Sequence, residues 1–342
     1  MKYINHIVIG LDKANKKEFF EAKKFFSELP QKHEILWNDG PNLKSLDTLL
    51  AKQNLAPQEL GKGRNVWYCM GYILSVGKAE AVALHDCDIV TYSRSLLARL
   101  VYPVANPKFN FDFCKGYYPR VSENKVKGRV ARLLVTPLLR ALEKTIGFNE
   151  FISFVDSFRY PLAGEFSFRR RVLKDIRIPY DWGLEIGVLS EMFRNYAGNR
   201  LCQVDIADNY DHKHQDIFFD DNSKGLSKMS IDIIKVIIRK LASQGEPFSM
   251  SIFRSLKATY YREALDFVQI YKKDALMNAY DIDVHEEETA VELFAKNIMV
   301  AGQVFLDSPM ESPNIPTWSR VDTALPGFLN DLRKAVELDN KS

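Results

Sequence analysis

Along the first half of the chain, short apolar runs of β type alternate with stretches whose apolar residues recur at helical spacing. Residues 3–11 read as a strand and 16–29 as an amphipathic helix. Residues 34–37 read as a second strand that runs into Asn38-Asp39-Gly40-Pro41, a strong turn signal, after which 43–53 are helical. Gly61-Lys62-Gly63 opens a helix over 65–76, and the apolar run 81–85 follows at once as a strand. This β-α-β-α-α-β order predicts an α/β fold with a mostly parallel, Rossmann-like sheet, helices on both faces and loops gathered along one rim. Beyond residue 88 the pattern loosens into a sheet segment over 109–118, a helix over 128–143, a loop containing 161–164 and a strand over 201–206.

From residue 226 onward the pattern is almost wholly helical, with helix-spaced apolar residues over 231–242, 250–271, 287–302 and 325–338. The chain therefore divides into a catalytic domain, 1–225, and a helical C-terminal region, 226–342. The amphipathic faces of that region need a partner, either the catalytic domain or a second copy, and a homodimer is the expectation.

Composition narrows the classes. A chain of 342 residues with 46% hydrophobic content supports a large core. Its 47 Lys and Arg against 44 Asp and Glu leave a net charge of +3, so there is no global reason to expect nucleic acid. No uninterrupted apolar stretch reaches the roughly 20 residues of a membrane span, and stable membrane insertion is not expected. The N-terminal apolar run is too short, and too unlike a signal peptide, to direct export. Cys69, Cys87, Cys114 and Cys202 form no C-x-x-C pair. That argues against a zinc site or a disulfide framework and for a cytoplasmic setting.

The chemistry concentrates where the strand over 81–85 runs out into Asp86-Cys87-Asp88. Side chains at i and i+2 of an extended segment point the same way, so both carboxylates can address one Mg²⁺ or Mn²⁺ and the phosphates it carries. In open α/β sheets ligands collect at this end of the strands. The plainer alternative is that one Asp caps the helix starting near Ser93. Gly61-Lys62-Gly63 offers backbone N–H groups and an ammonium at a helix start, suited to a pyrophosphate, although Arg64 after the second Gly excludes a Walker A loop. Lys125-Val126-Lys127-Gly128-Arg129 is a second basic loop entering a helix, and its alternative is an ordinary basic face. Asp211-His212-Lys213-His214 could add a nitrogen ligand to a cation, or be an ordinary charged loop. Tyr180-Asp181-Trp182-Gly183-Leu184-Glu185 combines aromatics with a carboxylate at a helix start, as a sugar-binding surface or a capped helix would.

The order of these pieces, with Val126 to Val130, Pro137-Leu138-Leu139, Ala163-Gly164-Glu165-Phe166 and Trp182 to Gly187, resembles the glucosyl-3-phosphoglycerate synthases. These are retaining glycosyltransferases of the GT-A fold with a D-x-D motif, related to mannosylglycerate synthases, and the likeness covers residues 1–217. The resemblance implies hexose transfer from a nucleotide-sugar, UDP-glucose or a GDP-sugar, to a small anionic acceptor such as 3-phosphoglycerate or glycerate. It places Lys62 and Gly61 at the donor diphosphate, Asp86 on the ribose side, Asn38 and Asp39 beside the nucleoside, and Asp88 with His212 on Mg²⁺ or Mn²⁺. Gly128 and Arg129 fall on the acceptor loop, Gly164, Glu165, Trp182 and Tyr210 on the substrate side, and Glu185 at the reacting sugar. The family's Thr two positions after its loop Arg is Ala131 here, and its Arg two positions before the metal His is Tyr210. Two other readings of the residues stand beside this one. Asp86 to Val90 also satisfies the D-x-D-x-[T/V] pattern of haloacid-dehalogenase-type phosphatases, with Asp86 as nucleophile. A degenerate, non-catalytic nucleotide-binding interaction module is the other.

Overall fold

The computed structural model describes residues 3–57, 59–211, 225–309 and 314–341. Local chemistry sets the first unit. Asn15 accepts from the N–H groups of Lys17 and Glu18, and the Glu18 carboxylate returns a bond to the Asn15 N–H, a reciprocal cap that starts α1 (Lys16–Phe26) after β1 (Ile7–Leu11). The strand β2 (His33–Trp37) lies parallel to β1 with Ile7 opposite His33, and α2 (Pro41–Lys52) begins on the proline of the turn. Then come α3 (Lys62–Val76), closed by Gly77 at φ +74°, β3 (Ala81–Leu84) and α4 (Arg94–Ala105). Ser93 caps α4 through the Leu96 N–H, so neither aspartate of the Asp86-Cys87-Asp88 motif does.

Next are β4 (Phe113–Tyr117) and the hairpin β5 (Val121–Ser122) and β6 (Lys125–Val126), whose turn residues Glu123 and Asn124 both have positive φ. The helix expected from residue 128 begins as a π-helix, Val130–Val135, and continues as α5 (Thr136–Ile146) and then α6 (Glu150–Asp156). A short strand that periodicity does not reveal, β7 (Phe166–Arg169), precedes α7 (Val172–Asp175), α8 (Leu184–Asn195) and β8 (Leu201–Asp205).

The second sheet has the order β3-β7-β4-β8. β7 runs antiparallel to both β3 and β4, and β8 runs parallel to β4, so three of these strands point one way and β7 opposes them. The reversal matters for function. Phe166 at the start of β7 faces Leu84 at the end of β3 and Lys115 in β4, so the chain entering β7 arrives at the rim where β3, β4 and β8 leave.

The C-terminal helices are α9 (Gly225–Ser243), α10 (Met250–Met277), α11 (Val284–Asp307), α12 (Trp318–Ala324) and α13 (Phe328–Lys341). Their apolar faces enter one core with α3, α5 and α8: Ile234, Tyr260, Phe294 and Trp318 are buried together with Trp67, Leu138 and Leu189. α11 has the length and composition of a membrane span, yet 56% of that window is buried inside the protein. Trp318 shows how tightly the two parts join. Its ring stacks on Trp67 at 4.0 Å, its Nε1 donates to the Trp67 carbonyl at 3.0 Å, and Trp67 Nε1 donates to the Pro316 carbonyl at 2.9 Å. We expect Trp318→Ala to lower unfolding free energy by about 3–5 kcal/mol through the cavity it leaves. Urea denaturation checks this.

Candidate active site

The rim holds an ammonium between two carboxylates. Lys62, the first residue of α3, places Nζ 2.8 Å from Asp86 Oδ1 and 2.9 Å from Glu185 Oε1. Glycine makes this possible. A Cβ on Gly61 would lie 2.4 Å from the Tyr180 carbonyl oxygen and one on Gly63 only 1.8 Å from that of Pro179, so the start of α3 can rest on the segment leading into α8 only without side chains there. Burial alone would lower the Lys62 pKa, but Glu185 and Asp86 outweigh it and the net shift is upward. Lys62 is therefore a fixed cation. Glu185 is only 6% exposed, whereas Asp86 is half-buried and Asp88 exposed.

Behind Asp86 the segment entering β7 fits closely: a Cβ on Gly164 would meet Asp86 Oδ2 at 2.5 Å. Glu165, expected on the substrate side, is instead fully buried and accepts from Tyr118 Oη at 2.8 Å and Tyr210 Oη at 2.7 Å. Burial and the Asp86 charge push its pKa up, and the two phenols partly offset that. Tyr210 is likewise enclosed, stacked on Tyr118 with centroids 3.6 Å apart. Lys115, unmarked by any motif, is buried beneath and donates to the Ala163 carbonyl at 2.6 Å, fixing the residue before Gly164. Burial depresses its pKa to about 8, against the opposing pull of Glu185 and Glu165.

Asn38 and Asp39 lie in a neighbouring polar cluster, joined to the rim through α3. The buried Asn38 amide donates to Asn65 Oδ1 at 2.9 Å and Asp12 Oδ1 at 3.2 Å, and Asp39 accepts from the Ala14 N–H at 3.0 Å. Arg64, buried, pairs with Asp12 at 3.4 Å and with Asp47, which also takes the Tyr68 hydroxyl.

Arg129 differs from expectation. It is not held out for an anion: its Nε bonds Glu287 Oε1 at 3.1 Å and its Nη2 bonds Glu286 Oε2 at 2.9 Å. Arg132 closes on the same Glu287 at 2.6 Å and 3.1 Å. The first turn of α11 supplies both carboxylates, and the π-helix and its N-terminal flank present both arginines to it. Gly128, at φ +75°, packs instead on Arg120, where a Cβ would come within 3.1 Å of Cγ.

Trp182, half-buried, follows Asp181, whose Oδ1 accepts from the Gly183 N–H at 2.9 Å and whose Oδ2 has no hydrogen-bond partner among the described residues. Burial first, then Asp232, raises the Asp181 pKa to about 6, with the Gly183 N–H and Lys235 opposing. The folded-state pKa lies above the ordinary 3.8, so the stability this proton confers is complete below about pH 4 and lost as pH rises through about 6. Asp181→Asn keeps the acceptor for Gly183. It should raise stability by about 1–3 kcal/mol at pH 8 and by almost nothing at pH 4, as thermal melts at the two pH values would show.

Asp88, exposed beside the Lys62-bound Asp86, presents hard oxygen donors at a strand exit, which fits Mg²⁺ or Mn²⁺. Among the described residues no three His, Cys, Asp or Glu side chains converge as a complete ligand set, so donor oxygens and water would fill the rest of the shell. His212, expected as a ligand, and His214 lie outside the described residues. The structure thus brings Gly61, Lys62, Asp86, Gly164, Glu165, Glu185 and Tyr210 to one rim and ties Arg129 to α11. Sequence reasoning missed Lys115, Tyr118 and Arg120. Their one signal is a charged residue near each end of the aromatic pair Tyr117-Tyr118 at a strand exit.

No family model matches the chain. It is 44% identical over 340 residues to a glucosyl-3-phosphoglycerate synthase of Persephonella marina, covering 99% of this chain and 84% of that one. It is 36% identical over 343 residues to the glucosyl-3-phosphoglycerate synthase of Methanococcoides burtonii, covering 99% and 83%. The solved glucosyl-3-phosphoglycerate synthase of Mycobacterium tuberculosis, in complex with phosphoglyceric acid, overlaps 71% of this chain and 81% of its own at 19% identity and a TM-score of 0.47. With near full-length identity at that level to two curated relatives, the chain belongs to the glucosyl-3-phosphoglycerate synthase family.

Proposed function

We propose that this glycosyltransferase moves glucose from UDP-glucose to 3-phosphoglycerate with retention of configuration, using Mg²⁺ or Mn²⁺. The sugar and acceptor follow the name its relatives carry. The observation that carries the chemistry is Lys62 held between Asp86 and Glu185 at the strand exit. Membership of the family sets aside the phosphatase and non-catalytic readings.

Electrostatics explain why such a site needs a divalent ion. Lys62 offsets only one of the carboxylates Asp86, Asp88 and Glu185, and an incoming diphosphate adds more negative charge. Two like charges about 4 Å apart repel by about 4 kcal/mol at an effective dielectric of 20. A cation held by Asp88 would neutralise the diphosphate and act as Lewis acid to its departure. Lys62 would turn one of its N–H groups from the Asp86 carboxylate to the leaving oxygens. Glu185, clamped by Lys62 and buried, serves to position the sugar and to stabilise positive charge at its reacting carbon. The acceptor hydroxyl then attacks from the side the diphosphate leaves, and its proton passes to a diphosphate oxygen.

A homodimer and a cytoplasmic setting belong to the same proposal. Exposed Leu276 and Met277 at the end of α10 support the first and four free thiols the second. Light scattering on the purified chain tests the dimer, and a monomer mass would refute it.

With Mn²⁺, UDP-glucose should be turned over onto 3-phosphoglycerate and chelation should abolish the reaction. Asp88→Ala and Lys62→Met should each lower kcat/KM by about 10²-fold or more. If a panel of UDP- and GDP-sugars neither binds nor reacts, the proposal fails.

A further inference from the structure

Arg120 carries a guanidinium whose donors are incompletely met. Its Nε and Nη1 are shielded from solvent and make no hydrogen bond among the described residues. What holds the group is aromatic: Cζ lies 5.7 Å from the ring centroid of Tyr210, 5.8 Å from that of Tyr160 and 6.0 Å from that of Tyr118. The phenols of Tyr118 and Tyr210 are directed to Glu165, so these rings offer Arg120 their faces and not their hydroxyls. A permanently charged group with buried, unmet donors is costly unless an anion completes it.

Its place fits such an anion. Glu165 follows Gly164, which lies against Asp86, and Gly128 lies against the Arg120 stem, so the guanidinium stands between the Asp86 rim and the basic loop. Neighbouring buried or half-buried cations are already engaged: Lys62 with Asp86 and Glu185, Lys115 with the Ala163 carbonyl, and Arg129 and Arg132 with Glu287.

We propose that Arg120, its guanidinium held over the ring faces of Tyr118, Tyr160 and Tyr210, is the receptor for an anionic group of the acceptor, carboxylate or phosphate. This rests on the transfer reading above. The tyrosines orient the planar fork without occupying its N–H groups, which favours paired hydrogen bonds to an oxyanion.

Calorimetric titration of the full chain, with UDP and Mn²⁺ present, tests the assignment. Arg120→Gln should weaken 3-phosphoglycerate binding by about 10–100-fold, and Arg120→Lys, which keeps the charge but not the fork, by less. UDP affinity should stay within about twofold. D-glycerate lacks the phosphate and glycerol 3-phosphate lacks the carboxylate. Whichever of them becomes insensitive to the substitution lacks the group that Arg120 holds. Unchanged 3-phosphoglycerate affinity in both variants, equal weakening of UDP, or a wild type that does not bind 3-phosphoglycerate would overturn the assignment. Should the Gln variant be unfolded by circular dichroism, the Lys variant decides between these outcomes. If wild type binds 3-phosphoglycerate through Arg120 yet transfers no glucose, only the transfer reading fails.

Discussion

The ammonium of Lys62 between Asp86 and Glu185 is the constraint on which the rest of the site depends. It joins the start of α3, the exit of β3 and the start of α8, spanning sequence separations of 24 and 123 residues. Removing Lys62 would leave the Asp86 and buried Glu185 carboxylates without their shared cation, which is more destabilising than losing a surface pair. The backbone is shaped to the same end. Gly61 and Gly63 let α3 begin on the carbonyls of Pro179 and Tyr180, and the Arg64 N–H donates to the second of these at 3.3 Å. α3 therefore points its first residue, and the positive end of its dipole, at the place where Asp86 leaves the sheet.

The reversed strand β7 completes this arrangement. Because it enters the sheet at the rim where β3, β4 and β8 end, Gly164 and Glu165 meet Asp86, Tyr118 and Tyr210 from the fourth side. A wholly parallel sheet would have sent those residues to the opposite rim. The C-terminal helices reach the same neighbourhood through Glu287, whose buried carboxylate gathers Arg129 and Arg132. They are tied to the loop that carries Arg129 and are not an appendage to it.

How much of this was legible in the sequence follows from the range of each interaction. Alternation and turn signals located β1 through β3 to within a few residues, because those signals are local. The D-x-D pair, the G-K-G helix start and Glu185 could be named because each sits at an element boundary where chemistry gathers. Arg129 was named without its ion-pair partners, since a basic loop at a helix start looks available to an anion. Its actual partners lie 157 and 158 residues away in α11. Lys115 carried no motif because a lone lysine in an apolar strand looks like an edge residue, and only the fold shows it bound to the Ala163 carbonyl. The π-helix stayed hidden because its apolar residues satisfy an ordinary helical period over so short a span.

The tyrosines around Arg120 show how one carboxylate can decide what another residue is free to do. Glu165, buried and with no ion pair among the described residues, draws the hydroxyls of Tyr118 and Tyr210 to itself. Had those phenols turned outward, they could have accepted from the guanidinium and left it satisfied. With them facing Glu165, the rings attract Arg120 through their quadrupoles, a force that sets its place but fills none of its donors. The result is opposite polarity on the two sides of one rim. Carboxylates suited to a metal-bound diphosphate stand at the exit of β3, and an incompletely satisfied cation stands across Glu165 from them. Two anionic substrates can then be drawn to adjacent places by different means, one through a divalent ion and the other directly. The field that admits the second also opposes its binding in place of the first, because the carboxylates repel an anion that arrives without a metal.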